Sequence, residues 1–289
     1  MFHGSYVALV TPFKNGQVDY QKLGELVEFH VKNGTQGIVP CGTTGESATL
    51  SFEEHEKIIG EVVSIVAGRI RVLAGAGSNN TTEALRLAKH AKKIGADGAL
   101  LITPYYNKPT PEGLYRHYKL IAESVDIPIV MYNVPSRTGI SIQPETVARL
   151  SEIKNIVGIK EASGSIDQAT QILQLCNITV LSGDDSLTLP IMSVGGRGVI
   201  SVVANVVPAD TAALTRYCLE GNFDAARKCH FKLFPLCKSM FIETNPIPVK
   251  TAMRMLGRLN GEMRLPLCDM TKEHESQLMG TLKNYGLIS

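Results

Sequence analysis

Lys160 closes the apolar run Ile156-Val157-Gly158-Ile159-Lys160, and an earlier run, Ile127 to Met131, leads directly into Tyr132. A lysine where a strand leaves an apolar core is placed to lose its proton, because burial disfavours the ammonium form. The free amine is a nucleophile that can form an imine with a ketone. A phenol beside it can give and take the protons that imine formation and dehydration require. A strand-end lysine taken alone is more often solvated or paired, and Glu161 stands next to Lys160 as an available counter-charge.

Residues after the other apolar runs extend the set. The second run is followed by Cys41-Gly42-Thr43-Thr44-Gly45-Glu46, the fourth by Pro104-Tyr105-Tyr106, and the fifth by Tyr132-Asn133-Val134-Pro135-Ser136-Arg137-Thr138-Gly139. The hydroxyls and neighbouring backbone N–H groups of Thr43 and Thr44 suit a carboxylate or a proton relay. The plainer reading of Gly-Thr-Thr-Gly is a tight turn. Arg137 can grip a carboxylate through two parallel hydrogen bonds, where a loop arginine is commonly just solvated. Alternation along the sixth run places Ile156, Gly158 and Lys160 on one face, and the missing side chain at Gly158 leaves room beneath the amine. After the third run, Gly75-Ala76-Gly77-Ser78 lacks the third glycine of a dinucleotide-binding loop and reads as a strand-to-helix turn.

These residues need a scaffold that brings strand ends together. Eight short apolar runs recur: Tyr6–Val10, Gly37–Pro40, Arg71–Ala74, Gly98–Ile102, Ile127–Met131, Ile156–Lys160, Thr179–Ser182 and Gly198–Val203. Helical segments separate them. Ser51-Phe52-Glu53-Glu54 and Ser165-Ile166-Asp167-Gln168 fit capping boxes, Pro111 and Pro144 fit first turns, and Gly34, Gly68, Gly95 and Gly221 fall where helices stop. Runs apolar on both faces suit a parallel sheet covered on both sides, and about eight such units in roughly 220 residues predict a TIM (β/α)8 barrel. A doubly wound open sheet is the alternative. From Phe223 on, the strands give way to helices expected at Asp224–Pro235, Pro246–Leu256 and Thr271–Tyr285. The expected division is a barrel over 1–222 and a helical C-terminal extension over 223–289, with Thr244-Asn245-Pro246-Ile247-Pro248 as a rigid link between the first two of those helices.

Composition narrows the function classes. The 289 residues are 44% hydrophobic with a net charge of +2 and no basic run, which argues against a nucleic-acid surface or a polybasic membrane patch. No apolar stretch approaches the roughly 20 residues of a membrane helix, and Met1-Phe2-His3-Gly4 lacks a signal-peptide pattern, so the expected compartment is the cytoplasm. The six cysteines, Cys41, Cys176, Cys218, Cys229, Cys237 and Cys268, form no Cys-x-x-Cys pair and read as buried free thiols. The seven histidines are dispersed, and no catalytic metal and no cofactor is expected.

The segments GIVPCGTTGES, ITPYYNKP, YNVPSRTG, GIKEASG, LSGDD and GVISVVANV, spread over nearly the whole chain, resemble the dihydrodipicolinate synthase family of pyruvate-dependent class I aldolases, a superfamily that includes N-acetylneuraminate lyase. The resemblance implies that Lys160 forms a Schiff base with pyruvate, whose enamine attacks L-aspartate 4-semialdehyde in lysine and diaminopimelate synthesis. It implies Tyr132, Thr44 and Tyr106 as a proton relay, with Tyr106 reaching across a subunit contact in a dimer or a homotetramer built as a dimer of dimers. Thr43 and the backbone of Ile200 would line the pyruvate pocket, and Arg137 would bind the semialdehyde carboxylate. Feedback by L-lysine would involve Ser47, Ala48, Phe52, His55, Asn79, Glu83 and Tyr105, with Phe52 departing from a histidine common in the lysine-sensitive bacterial enzymes. The plainer reading of His55 and Glu83 is two solvated helix residues. Two other readings compete: a sialate or sugar-acid lyase sharing the imine step, which Arg137 argues against, and a non-catalytic barrel retaining a small-ligand pocket, which has no need of an imine-forming lysine.

Overall fold

The structure is a computed structural model describing residues 2–288. Eight parallel strands close into a barrel: β1 (Gly4–Ala8), β2 (Gly37–Val39), β3 (Arg71–Gly75), β4 (Gly98–Ile102), β5 (Ile129–Asn133), β6 (Ile156–Glu161), β7 (Thr179–Ser182) and β8 (Gly198–Ser201), with β8 paired back to β1. The TIM-barrel expectation therefore holds and the open sheet is excluded. The strand limits shift by up to two residues at either end; β5 extends to Asn133, so Tyr132 lies inside a strand rather than after one. Each strand is followed by a helix on the outside: α1 (Tyr20–Lys32), α2 (Phe52–Val66), α3 (Thr81–Lys93), α4 (Pro111–Ser124), α5 (Pro144–Ser151), α6 (Ile166–Leu175), α7 (Thr188–Ser193) and α8 (Pro208–Leu219).

Alternation along the strands creates two apolar layers. Tyr6, Ala8, Val39, Leu73, Leu100, Val130, Tyr132, Leu181 and Ile200 fill the barrel interior, and the residues between them pack outward against the helices. Gly37 makes the space for Tyr6, since a Cβ there would lie 2.0 Å from the tyrosine ring.

One expected face was wrong. Ile129 pairs with Ile156 but Val130 pairs with Gly158, so Val157 is an extra residue in β6. A bulge moves everything before it to the other face. Ile156 accordingly joins the outer layer, while Gly158 and Lys160 face inward.

The helix punctuation is largely as read. Ser51 and Glu54 form a reciprocal capping box at α2. At α6, Ser165 Oγ accepts from Gln168 N at 3.1 Å, but the Gln168 side chain reaches Glu161 and Ser141 instead of completing the box. Unexpected from the sequence is a small antiparallel hairpin, Phe13–Lys14 against Gln17–Val18. Its turn, Asn15-Gly16, has positive φ at both residues and donates both N–H groups to the Glu262 carboxylate.

After the barrel come α9 (Phe223–Ser239), α10 (Ile247–Met255) and α11 (Lys272–Tyr285). Pro235 was expected to end α9, yet the helix continues to Ser239. Proline removes its own N–H bond and crowds the carbonyl four residues back, a cost offset by burial of the anchors on either side of it, Leu233, Leu236 and Cys237. All six cysteines are free; Cys41, Cys218 and Cys237 are buried as read, but Cys176 and Cys229 are only half-buried and Cys268 is exposed. No described helix is long and apolar enough to cross a membrane.

Candidate active site

The barrel's C-terminal mouth holds a cavity of about 280 Å³. Lys160 reaches into it from β6 and Tyr132 from β5, strands whose register sets the two residues side by side. Lys160 Nζ lies 4.2 Å from the centre of the Tyr132 ring, and the lysine is only 6% exposed. The expected counter-charge is not there. Glu161 faces the opposite side of the strand, where Asn133 Nδ2 donates to it at 3.0 Å, Ser163 N at 2.7 Å and Gln168 Nε2 at 3.3 Å, while burial pushes its carboxyl up. Strand alternation therefore sends the two side chains to opposite faces, and Lys160 makes no ion pair with Glu161.

Space for the lysine comes from an unexpected quarter. A Cβ at Gly158 would touch Thr179 O and Val130, not Lys160. It is Gly183, after β7, whose missing side chain leaves room: a Cβ there would sit 3.0 Å from Lys160 Cε and 2.5 Å from Ala162 Cβ.

Thr43, Thr44 and Arg137 line the same cavity. Ile200, expected to contribute its backbone, is fully buried in the barrel interior opposite Tyr6, and Val202, two residues on, lines the cavity. Asp184 also lines the cavity, and Asp185 is buried beside it. Asp184 accepts from Ser186 N and Oγ at 3.0 and 2.9 Å, and Asp185 accepts from Val202 N and Val203 N at 2.9 and 3.0 Å, pinning the end of β8. Burial pushes the Asp185 carboxyl up. Tyr106 is not brought to the cavity: it is 90% exposed, on backbone with φ of 71°.

The C-terminal helices supply lining that the sequence did not announce, namely Cys237, Lys238, Phe241 and Asn245. Asn245, read as part of a rigid link, is 5% exposed. Its Nδ2 donates to Thr44 Oγ1 at 3.0 Å and its carbonyl accepts from Arg137 Nη2 at 3.0 Å. The only available signal was its place before Pro246, which restrains the backbone but says nothing of a contact some two hundred residues away in sequence.

Beneath this segment Glu46 and Lys250 form a fully buried ion pair. Lys250 Nζ donates to Glu46 Oε1 at 2.5 Å and to Thr11 O at 2.9 Å, and Glu46 Oε2 accepts from Arg264 N at 3.0 Å. The pair fastens the loop carrying Thr43 and Thr44 to α10.

A second cavity of about 500 Å³ adjoins the first, and Thr43, Arg137 and Asn245 line both. Ser47, Ala48, Phe52, His55, Glu83 and Tyr105 line the larger one; Asn79 stands beside it, its Nδ2 donating to Tyr105 O at 3.1 Å. His55 is not a solvated helix residue: it is buried, its Nδ1 has no partner among the described residues, and burial lowers its pKa to about 4. Glu83 accepts from Ser78 Oγ at 2.8 Å.

A lysine freed from its neighbouring carboxylate, at the mouth of a closed barrel, is what the aldolase reading requires. The sequence profile of the dihydrodipicolinate synthetase family matches residues 1–285. The chain belongs to this family. Among family members, the 4-hydroxy-tetrahydrodipicolinate synthase of Syntrophobacter fumaroxidans is 58% identical over the full length of both chains. The crystal structure of the dihydrodipicolinate synthase of Aquifex aeolicus is 56% identical, covers 99% of each chain and superposes with a TM-score of 0.98. A third dihydrodipicolinate synthase, from Cyanidioschyzon merolae and solved with lysine bound, is 42% identical over 99% of each chain with a TM-score of 0.96.

Proposed function

We propose that the chain is a 4-hydroxy-tetrahydrodipicolinate synthase, a lyase of lysine and diaminopimelate biosynthesis that joins pyruvate to L-aspartate 4-semialdehyde through an imine on Lys160. The observation that carries this reading is the placement of Lys160: buried, turned from Glu161, and facing a cavity walled by Tyr132, Thr43, Thr44 and Arg137.

The amine of Lys160 attacks the pyruvate ketone carbon, and Tyr132 with Thr44 delivers the proton that lets the carbinolamine oxygen leave as water. Loss of a proton from the pyruvate methyl gives the enamine. That carbon attacks the semialdehyde's aldehyde carbon, whose oxygen takes up a proton to become a hydroxyl. The acceptor's own amine then adds to the imine carbon and displaces Lys160, closing the ring and regenerating the enzyme. One water is released in all, and every proton is moved by a hydroxyl, phenol or amine.

In this reading Thr43 holds the pyruvate carboxylate and Arg137, exposed at the mouth, meets the semialdehyde carboxylate. Tyr106, exposed in the single chain, completes the relay of a second copy, in a homo-oligomer arranged as a dimer of dimers. Feedback by L-lysine is assigned to the larger cavity, where Glu83 would meet the effector's ammonium. Residues 1–222 carry the chemistry and residues 223–289 close the site from one side.

Intact mass after incubation with pyruvate and borohydride tests the first step, because reduction makes a transient imine permanent. A pyruvate adduct on the native protein that disappears in Lys160→Ala is expected. The absence of an adduct on the native protein would end the aldolase reading.

A further inference from the structure

We propose that Asn245 is a positioning residue that fixes the direction of the Thr44 hydroxyl, keeping its proton available to the relay. The inference rests on the reading that Thr44 relays protons for an imine on Lys160.

A hydroxyl has one proton to give and two lone pairs to receive with. A relay member must accept from one neighbour and donate to the next, so it needs its proton and one lone pair free. Asn245 Nδ2 donates to Thr44 Oγ1 at 3.0 Å and thereby occupies one lone pair only. The other lone pair and the O–H remain free of protein partners among the described residues, and Thr44 lines a cavity with Tyr132 and Lys160.

The opposite orientation of the amide would reverse this. Its carbonyl oxygen would accept the Thr44 proton and take the hydroxyl out of the relay. That oxygen, Asn245 Oδ1, is buried and has no hydrogen-bond partner among the described residues. The side chain gives its N–H to Thr44, while the backbone carbonyl of the same residue holds Arg137 Nη2 at 3.0 Å. One residue from outside the barrel thus orients the hydroxyl and the cation assigned to the two substrates.

Two variants separate this from simple packing. In Asn245→Asp, an isosteric carboxylate accepts the Thr44 proton; kcat is expected to fall roughly 100-fold near neutral pH, the size of a lost proton-transfer contribution. Its pH profile gains a new limb, with activity recovering as the introduced carboxyl is protonated and becomes a donor again. Asn245→Ala loses kcat without that limb. The double-mutant cycle of Asn245→Ala with Thr44→Val supplies the second measurement: the two losses do not multiply, because Asn245 acts through Thr44. An Asp variant with an unchanged pH profile, or losses that multiply fully, would overturn the inference. Borohydride trapping on the native protein is run alongside. If the native adduct forms while the Asn245 results fail, this inference alone falls; if the native adduct is missing, the imine reading falls with it.

Discussion

Lys250→Met tests whether the buried ion pair holds the loop carrying Thr43 and Thr44 against the C-terminal helices. In the native protein Lys250 is fully buried and the Glu46 side chain is 1% exposed. Substitution by methionine keeps most of the volume, including contact with the Phe13 ring that lies 4.5 Å from Nζ. What is lost is the cation. Glu46 Oε1 is stranded, and the carboxylate keeps only Arg264 N as a donor. Removing one partner of a buried pair costs about 3–5 kcal/mol, because the remaining charge stays uncompensated. At about 2–4 °C per kcal/mol for a domain of this order of size, thermal unfolding should drop by roughly 6–20 °C. Adding Glu46→Gln removes the stranded charge and leaves an amide oxygen for Arg264 N, so the double variant should be more stable than Lys250→Met by at least about 1 kcal/mol. Differential scanning calorimetry on the four proteins of the cycle decides. A Lys250→Met loss below about 1 kcal/mol, or single losses that simply add in the double variant, would refute the argument.

Three further outcomes are expected. Gly183→Ala places a methyl 2.5 Å from Ala162 Cβ and 3.0 Å from Lys160 Cε, so borohydride trapping of pyruvate should slow by about tenfold or more while the protein stays folded by circular dichroism. Chains carrying Lys160→Ala and chains carrying Tyr106→Phe, each nearly inactive, should regain activity when unfolded, mixed and refolded together, whereas the lack of any recovery would place Tyr106 outside a shared site. Burial lowers His55 and His117 to about 4 and His30 to about 3, from an ordinary 6.5. Their contribution is complete above about 6.5 and is lost as pH falls toward the folded values, since the unfolded chain takes up the protons first. Denaturant midpoints should therefore fall between about pH 6.5 and 4, partly offset by Glu161 and Asp185, whose raised carboxyls act in the opposite sense; replacing His117 by Phe should flatten the slope.

The barrel was legible because its strands are buried on both faces and separated by helices with clear start and stop residues, a pattern local in sequence. Lys160, Tyr132, Thr43, Thr44 and Arg137 were legible for the same reason: each ends or follows a strand, and barrel closure gathers strand ends. What escaped was partly strand geometry and partly long-range contact. The extra residue at Val157 reversed the face of Ile156; the neighbouring Gly158 was a sign of a bulge but was read only as space beneath the amine. Glu161 looked like a partner of Lys160 by adjacency, whereas a strand sends adjacent side chains in opposite directions. Asn245 and Gly183 depend on segments that meet only after the chain has folded, one from the C-terminal helices and one from the strand beyond the lysine. Tyr106 depends on more than one chain in the proposed reading, and its exposure is all that a single chain records.

The wall that Thr43, Arg137 and Asn245 form between the two cavities carries a thermodynamic obligation. Whatever occupies the larger chamber and shifts Arg137 or Asn245 changes the affinity of the smaller one for its anionic acceptor by some factor. Equilibrium linkage then requires the acceptor to change the affinity of that occupant by the same factor. Because the same three residues line both cavities, such an exchange needs no relay through the barrel: in the proposed reading, the strength of feedback is equally a measure of how far the acceptor opposes the effector.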